Sequence, residues 1–268
     1  MRSIKWWEYV TTTDTDMLEG AITAAEELKA PIIIGTAEVL LPYGELGLIA
    51  PSMIEAAKRA LVPVCVNFDH GLTYERCLEA LQLGFTGVMF DGSAGSYADN
   101  LRKTREIVKL AHEFGAGVEG ETGHVGEAAS EDNLSTDRYT TPEEAVRFIE
   151  ETGVDALAVA VGTAHGAYKE KPCLDIGRLR MISDAVDTPL VLHGGSGLSD
   201  QDFRNTIANG ISKVNIFTDL CLAGEKAMEE NKGAGYLEIR HAKVQAIKEA
   251  VKTKIRLFGS CGKAADFE

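Results

Sequence analysis

Short runs of apolar and β-branched residues recur along this chain, and longer stretches between them repeat their apolar positions every three to four residues. The runs 7–12, 31–36, 62–68, 85–90, 115–121, 154–161, 188–192 and 212–216 predict strands. Helices are predicted between them, most clearly at 17–30, 97–115 and 141–153. The stretch 97–115 ends in a glycine that suits a C-cap, and 141–153 opens with Thr-Pro-Glu-Glu, which combines a capping side chain, a first-turn proline and early acids. A last helix is expected at about 238–258. Apolar runs buried on both faces imply parallel strands covered by helices. An open doubly wound sheet and a closed barrel both satisfy that alternation. Eight strand-helix units in 268 residues match a (β/α)8 TIM barrel, read as a single domain over 1–268 because no linker or shift of composition interrupts it. The segment 122–140 is polar and aperiodic and is expected to be a mobile active-site loop.

The polar residues that end the runs carry the chemistry. Asp69 and His70 follow strand 3, Asp91 follows strand 4, Glu119 and Glu121 end strand 5, His165 follows strand 6, His193 ends strand 7 and Asn215 ends strand 8. One polar strand end is ordinarily satisfied by water or backbone. So many on the C-terminal rim of a barrel, where barrel enzymes build their sites, point to function. His70, His165 and His193 could supply three neutral imidazoles to a Zn²⁺ with an open fourth position. Asp91 and Glu121 are candidates for alternate metal ligands or for partners that orient imidazoles. Asp69, beside a candidate ligand, suits proton transfer. His112 and His241 fall in charged helices and read as solvated, and His124 is not expected to be a ligand.

Glycines complete the picture. HGGSG (193–197) opens the loop after strand 7, where Gly194, Gly195 and Ser196 could approach an anion through main-chain N–H groups and a hydroxyl. Thr218 offers a hydroxyl where strand 8 leads into a helix, and these two loops are the usual phosphate site of a barrel. Lys169 could add a positive charge. A net charge of −14 argues against a nucleic-acid surface without forbidding an anionic substrate. No stretch approaches eighteen uninterrupted apolar residues, so no membrane association is expected. Five scattered cysteines without a CxxC pair and an N-terminus without an apolar signal region suggest a cytoplasmic protein with reduced thiols.

At these residues the chain resembles the class II, metal-dependent ketose-bisphosphate aldolases. The matching pieces include FDHG at 68–71, VMFDGS at 88–93, VEGETGHVG at 118–126, TGVDALAVAVGTAHGAYK at 152–169, PLVLHGGSG at 189–197 and GISKVNIFTD at 210–219. The resemblance implies a barrel that cleaves a phosphorylated ketose to dihydroxyacetone phosphate and an aldehyde. It implies one catalytic Zn²⁺ on His70, His165 and His193, with Asp91 and Glu121 able to hold metal elsewhere and Asp69 as acid/base. Gly166, Gly194, Gly195, Ser196, Asn215, Ile216, Phe217 and Thr218 match the positions that grip dihydroxyacetone phosphate, often with Na⁺ or K⁺. A homodimer or homotetramer is implied too. Departures cluster in the half of the pocket that selects the aldehyde. Tyr9-Val10-Thr11 stands where the family has Ala-Phe-Asn, Thr36 where serine is common, and SAGSY (93–97) where many members read Ser-His-x-Pro. VGEAASED (125–132) lacks the second glycine usual in the mobile loop, and Phe217 replaces an aspartate, closer to tagatose-type relatives. Two rivals follow from this pattern: a barrel of the same family that binds metal and phosphate without turnover, and a metal-dependent hydrolase, for which TTTDTD (11–16) lacks the expected extra ligands.

Overall fold

The computed structural model describes residues 7–126, 138–166, 168 and 172–267. Eight strands, β1 (Trp7–Thr11), β2 (Ile32–Ala37), β3 (Val64–Gly71), β4 (Gly87–Phe90), β5 (Gly117–Thr122), β6 (Ala156–Val159), β7 (Leu190–Leu192) and β8 (Ile211–Ile216), pair in sequence order into a closed barrel. Every pairing is parallel, and β1 closes on β8 with Tyr9 opposite Asn215. Helices α1 (Thr15–Glu27), α2 (Leu46–Arg59), α3 (Tyr74–Leu83), α4 (Tyr97–Glu113), α5 (Pro142–Thr152), α6 (Ile176–Ala185), α7 (Asp200–Ala208) and α8 (Thr218–Glu230) follow the strands in turn. The last helix, α9 (Tyr236–Phe258), begins slightly earlier than its pattern indicates and packs against α1 and α8. All eight expected strands are present.

Local signals explain the helix ends. Thr141 accepts from the Glu144 N–H while the Glu144 carboxylate accepts from the Thr141 N–H, and Gly153 ends α5 with a left-handed φ of 76°. After α4 the left-handed residue is Gly115, φ 72°, one position past the capping Phe114.

Side chains alternate along each strand, and the two faces differ. Val10, Ile32, Ile34, Val66, Phe68, Val88, Phe90, Val118, Leu157, Val159, Leu190, Leu192, Val214 and Ile216 join the large apolar core shared with the helices. The barrel interior holds two small apolar clusters, Tyr9 with Ile33, and Met89 with Ala156, Ala158 and Val191. Buried polar groups fill the rest: Asn67, Asp69, Glu119, Glu121, His193, Lys213 and Asn215. A barrel interior is normally packed with branched aliphatics. Charged groups there cost desolvation unless paired, so their partners reveal what they are for. Among the described residues, no helix is long and apolar enough to cross a membrane.

Candidate metal centre and phosphate grip

Asp69 and His70 lie within β3, which runs further than its apolar pattern predicts. The register of β3 against β4 shifts between Phe68 and Gly71, and His70 has a left-handed backbone, φ 45°. A histidine rarely adopts that conformation, and such strain concentrates at functional sites. The bulge lets Asp69 and His70, adjacent in sequence, both reach the same space: His70 Nε2 lies 4.0 Å from Asp69 Oδ2. Gly71 is required next in line, because a Cβ there would sit 2.7 Å from the Cys77 sulfur.

The three histidines converge. One ring nitrogen from each of His70, His165 and His193 lies within 4.8 Å of the others. The proton positions follow from the partners. His70 Nδ1 lies 2.8 Å from Asp91 Oδ2, and His193 Nε2 lies 2.7 Å from Glu119 Oε1. An ionised carboxylate only accepts, so each of those nitrogens donates. This leaves His70 Nε2 and His193 Nδ1 facing one another at 2.9 Å. Two lone pairs at that distance repel unless a cation lies between them. A proton on His70 Nε2 would meet the same need, and Asn215 Nδ2 lies 3.3 Å from His193 Nδ1 as a second donor. Burial works to lower the His70 pKa, but the charge of Asp69, the hydrogen bond to Asp91 and the charge of Glu121 outweigh it and lift the group to about 10. His165 Nε2 is buried without a hydrogen-bond partner, and burial, together with the neighbouring imidazoles of His70 and His193, pushes its pKa well below the usual range. Three convergent imidazoles, an orphaned nitrogen and two nitrogens that face one another fit a divalent metal that accepts nitrogen ligands.

The carboxylates divide into distinct environments. Asp91 is held below the usual carboxylate range: burial raises it, and the hydrogen bond and charge of His70, with Ser93, more than offset that. Ser93 donates to Asp91 Oδ1 at 2.6 Å and meets His124 Nδ1 at 2.8 Å. Among the described residues, His124 stands outside the clusters that could hold a metal. Glu121 is fully buried; Oε1 accepts from the Val125 N–H at 2.9 Å and Oε2 has no partner. Burial, reinforced by Asp91, pushes its pKa up to about 8. Asp91 and Glu121 also form a second possible cluster with His70. Asp69 has one oxygen fixed, by Asn215 Nδ2 at 3.1 Å, and the other, Oδ1, without a partner.

The three histidines, Asp69 and Asp91 border a cavity of about 410 Å³, whose walls also include Gly166, Gly194, Gly195, Ser196, Asn215, Phe217 and Thr218. The far wall carries the N-terminus of α8, an end that attracts anions. Thr218 opens α8, and Ser196 Oγ accepts from the main-chain N–H groups of Phe217 at 3.2 Å and Asp219 at 3.4 Å. Ser196 therefore sits where the helix presents its positive end. Gly194 has φ 65°, and a Cβ on it would lie 2.3 Å from the Ala164 carbonyl oxygen.

Two expected binding residues are absent from the described walls of this cavity. Strand alternation turns Asn215 into the barrel and the Ile216 side chain into the core facing the helices, so Ile216 has only its main chain to offer a ligand. Lys169 lies outside the described residues, as does 127–137 of the loop expected at 122–140. Thr36 pairs in register with the outward-facing Phe68, and Ala37 lines the cavity instead. His112 is not simply solvated, since its Nε2 meets Asp155 Oδ2 at 3.0 Å.

Two residues escape reading from sequence. Tyr168 OH accepts from the Ala164 N–H at 2.8 Å and donates to the Gly194 carbonyl at 2.7 Å, tying the loops after β6 and β7 together. Its only sequence signal is an aromatic residue soon after the His165-Gly166 pair. Lys213, in β8, places Nζ 2.5 Å from Glu119 Oε2 inside the barrel. A lysine within an otherwise apolar strand run hints at a buried partner but does not name it.

A closed (β/α)8 barrel with three imidazoles, a carboxylate with a free oxygen and a helix N-terminus around one cavity defines a barrel with a candidate metal centre and anion grip. The chain belongs to the class II fructose-bisphosphate aldolase family, whose model it matches over residues 8–263. It is similar to the protein YdjI of Escherichia coli K12, 39% identical over 276 residues, covering 98% of this chain and 99% of that one. The crystal structure of the E. coli YdjI aldolase superposes with a TM-score of 0.89, covering 97% of this chain and 94% of that chain. A fructose-bisphosphate aldolase of Thermus caldophilus is 38% identical, with 94% of this chain and 92% of the relative covered. A sulfofructosephosphate aldolase of Alkalicoccus urumqiensis is 36% identical, with 95% and 91% covered.

Proposed function

We propose that this protein is a Zn²⁺-dependent aldolase that cleaves a phosphorylated ketose into dihydroxyacetone phosphate, or a close analogue, and an aldehyde. The observation that carries the reading is the cation-demanding pair His70 Nε2 and His193 Nδ1, 2.9 Å apart, with the orphaned His165 Nε2 nearby and Asp69 beside them.

His70, His165 and His193 would hold the metal. When bound, a divalent cation supplies Lewis-acid stabilisation for the negative charge left on the ketone side as the C–C bond breaks. Asp69 takes the proton from the hydroxyl on the carbon that becomes the aldehyde; its Oδ1 has no partner within the protein, and Asn215 fixes the other oxygen. In the condensation direction the same carboxyl returns the proton. The loop Gly194–Ser196 and the start of α8 bind the phosphate, with Gly166, Asn215, Phe217 and Thr218 completing that wall. Anchoring the remote end orients the reacting carbons. Tyr168 keeps the two loops in register.

The mouth of the cavity differs from the family pattern at Thr11, and Ala37, Val39, Leu40 and Leu72 give this side an apolar character. The aldehyde half is therefore where this chain departs from a standard bisphosphate. Zinc-loaded protein incubated with ketose 1-phosphates, ketose 1,6-bisphosphates and sulfofructose phosphate should release triose phosphate from at least one of them, and chelator should abolish the release. Chelator-insensitive cleavage would overturn the metal role. Zinc binding with no release from any substrate would favour a barrel that binds without turnover.

A further inference from the structure

We propose that Lys213 is a positioning residue that works through Glu119 to lock the ring of His193, so that Nδ1 of that ring faces His70 and His165. The inference rests on the reading of the histidine cluster as a metal site and deepens it by one layer into the barrel.

The lock is a linear relay across three strands. Lys213 Nζ from β8 lies 2.5 Å from Glu119 Oε2 of β5, and Glu119 Oε1 lies 2.7 Å from His193 Nε2 at the end of β7. Side-chain exposures are 5%, 6% and 0%, so water offers no substitute partner. Each carboxylate oxygen therefore has one committed role. An ammonium only donates, so Oε2 must accept from Lys213, and Oε1 is left to accept from His193. Rotating the His193 ring by half a turn would set carbon against Oε1 and leave a buried carboxylate oxygen unpaired. Rotating Glu119 would break its ion pair. The ring is thus held with Nε2 protonated and Nδ1 as the acceptor, facing His70 Nε2 at 2.9 Å and Asn215 Nδ2 at 3.3 Å.

Lys213 itself is fixed from below. Its Nζ lies 4.5 Å from the centroid of the Tyr9 ring, which fills the floor of the barrel with Ile33. Lys213 is absent from the walls of the cavity that holds Asp69 and His165. Buried and outside that lining, it contributes orientation rather than contact. The arrangement parallels the shorter relay on the neighbouring ligand, where Asp91 Oδ2 accepts from His70 Nδ1. Partners of this kind set the tautomer of a metal-binding histidine.

The test compares wild type with Lys213→Met. The readouts are the zinc dissociation constant from chelator competition and the ¹⁵N shifts of the His193 ring in metal-free protein. Lys213→Met should weaken zinc binding by about tenfold or more, and His193 should populate both tautomers where wild type shows Nε2–H alone. Lys213→Arg, which keeps a buried donor for Oε2, should recover most of both properties. An unchanged His193 tautomer, or zinc affinity within about twofold of wild type, overturns the proposal. If Lys213→Met does not fold, the double variant Lys213→Met/Glu119→Gln leaves no unpaired buried charge and is held to the same two outcomes. A wild-type protein that binds no zinc would sink the metal reading, while the His193 tautomer in metal-free protein would still decide the role of Lys213.

Discussion

His70 Nε2 and His193 Nδ1 face each other at 2.9 Å, and each ring has its other nitrogen committed to a carboxylate, Asp91 for His70 and Glu119 for His193. The geometry calls for a positive charge between the rings. Replacing either histidine by alanine should therefore remove the site rather than weaken it slightly. His193→Ala and His70→Ala should each lose stoichiometric zinc on dialysis, measured by metal analysis, whereas wild type retains about one ion per chain. Retention of stoichiometric zinc by His193→Ala would contradict the triad.

Asp69 separates binding from chemistry. It adjoins His70 but keeps Oδ1 without a partner, so its loss should spare the metal and stop the proton transfer. Asp69→Ala should retain zinc and lose about 10²- to 10⁴-fold in kcat. Steady-state cleavage near the wild-type rate would show that another group carries the proton.

Ser196 tests the phosphate wall. Its hydroxyl lies at the N-terminus of α8, where a phosphate would meet the same N–H groups. Ser196→Ala should raise KM for the phosphorylated ketose about tenfold, equivalent to roughly 1.4 kcal/mol of lost binding, and change kcat less. A change in kcat alone, with KM constant, would move the phosphate elsewhere.

Tyr168 bridges two loops that each deliver a metal-binding candidate. Tyr168→Phe leaves the Ala164 N–H and the Gly194 carbonyl without their partner and should cost about 1–3 kcal/mol of stability, read from denaturant unfolding. The loop after β7 should then exchange its amide protons faster than in wild type. Unchanged exchange at residues 194–197 would mean that Tyr168 packs there without holding the loop.

Gly194 carries a harder constraint. With φ at 65° and a Cβ position 2.3 Å from the Ala164 carbonyl, Gly194→Ala must shift one loop against the other. A lower melting temperature and a KM effect at least as large as that of Ser196→Ala are expected. Wild-type values for both would show that the loop has room to move.

Much of this molecule was legible in the order of its residues. Strands of a barrel must be apolar toward the helices, so β2 and β8 announced themselves, and polar groups placed at the ends of such runs can only gather at one mouth. That determined the barrel and the approach of His70, His165 and His193. Orientation was not legible, because it depends on partners distant along the chain. Ile216 is adjacent to Asn215, yet strand alternation sends one to the core and the other to the cavity. The bulge that brings Asp69 and His70 to one space arises from the register between β3 and β4. Glu119 and Lys213 stand 94 residues apart in sequence, and only closure of the barrel makes them the pair that sets the His193 ring. The order of residues settled which groups reach the mouth of the barrel, since hydrophobic burial dictates where the strands run. The tertiary structure decided which nitrogen or oxygen each presents, because hydrogen bonding in a water-poor interior is settled by neighbours in space.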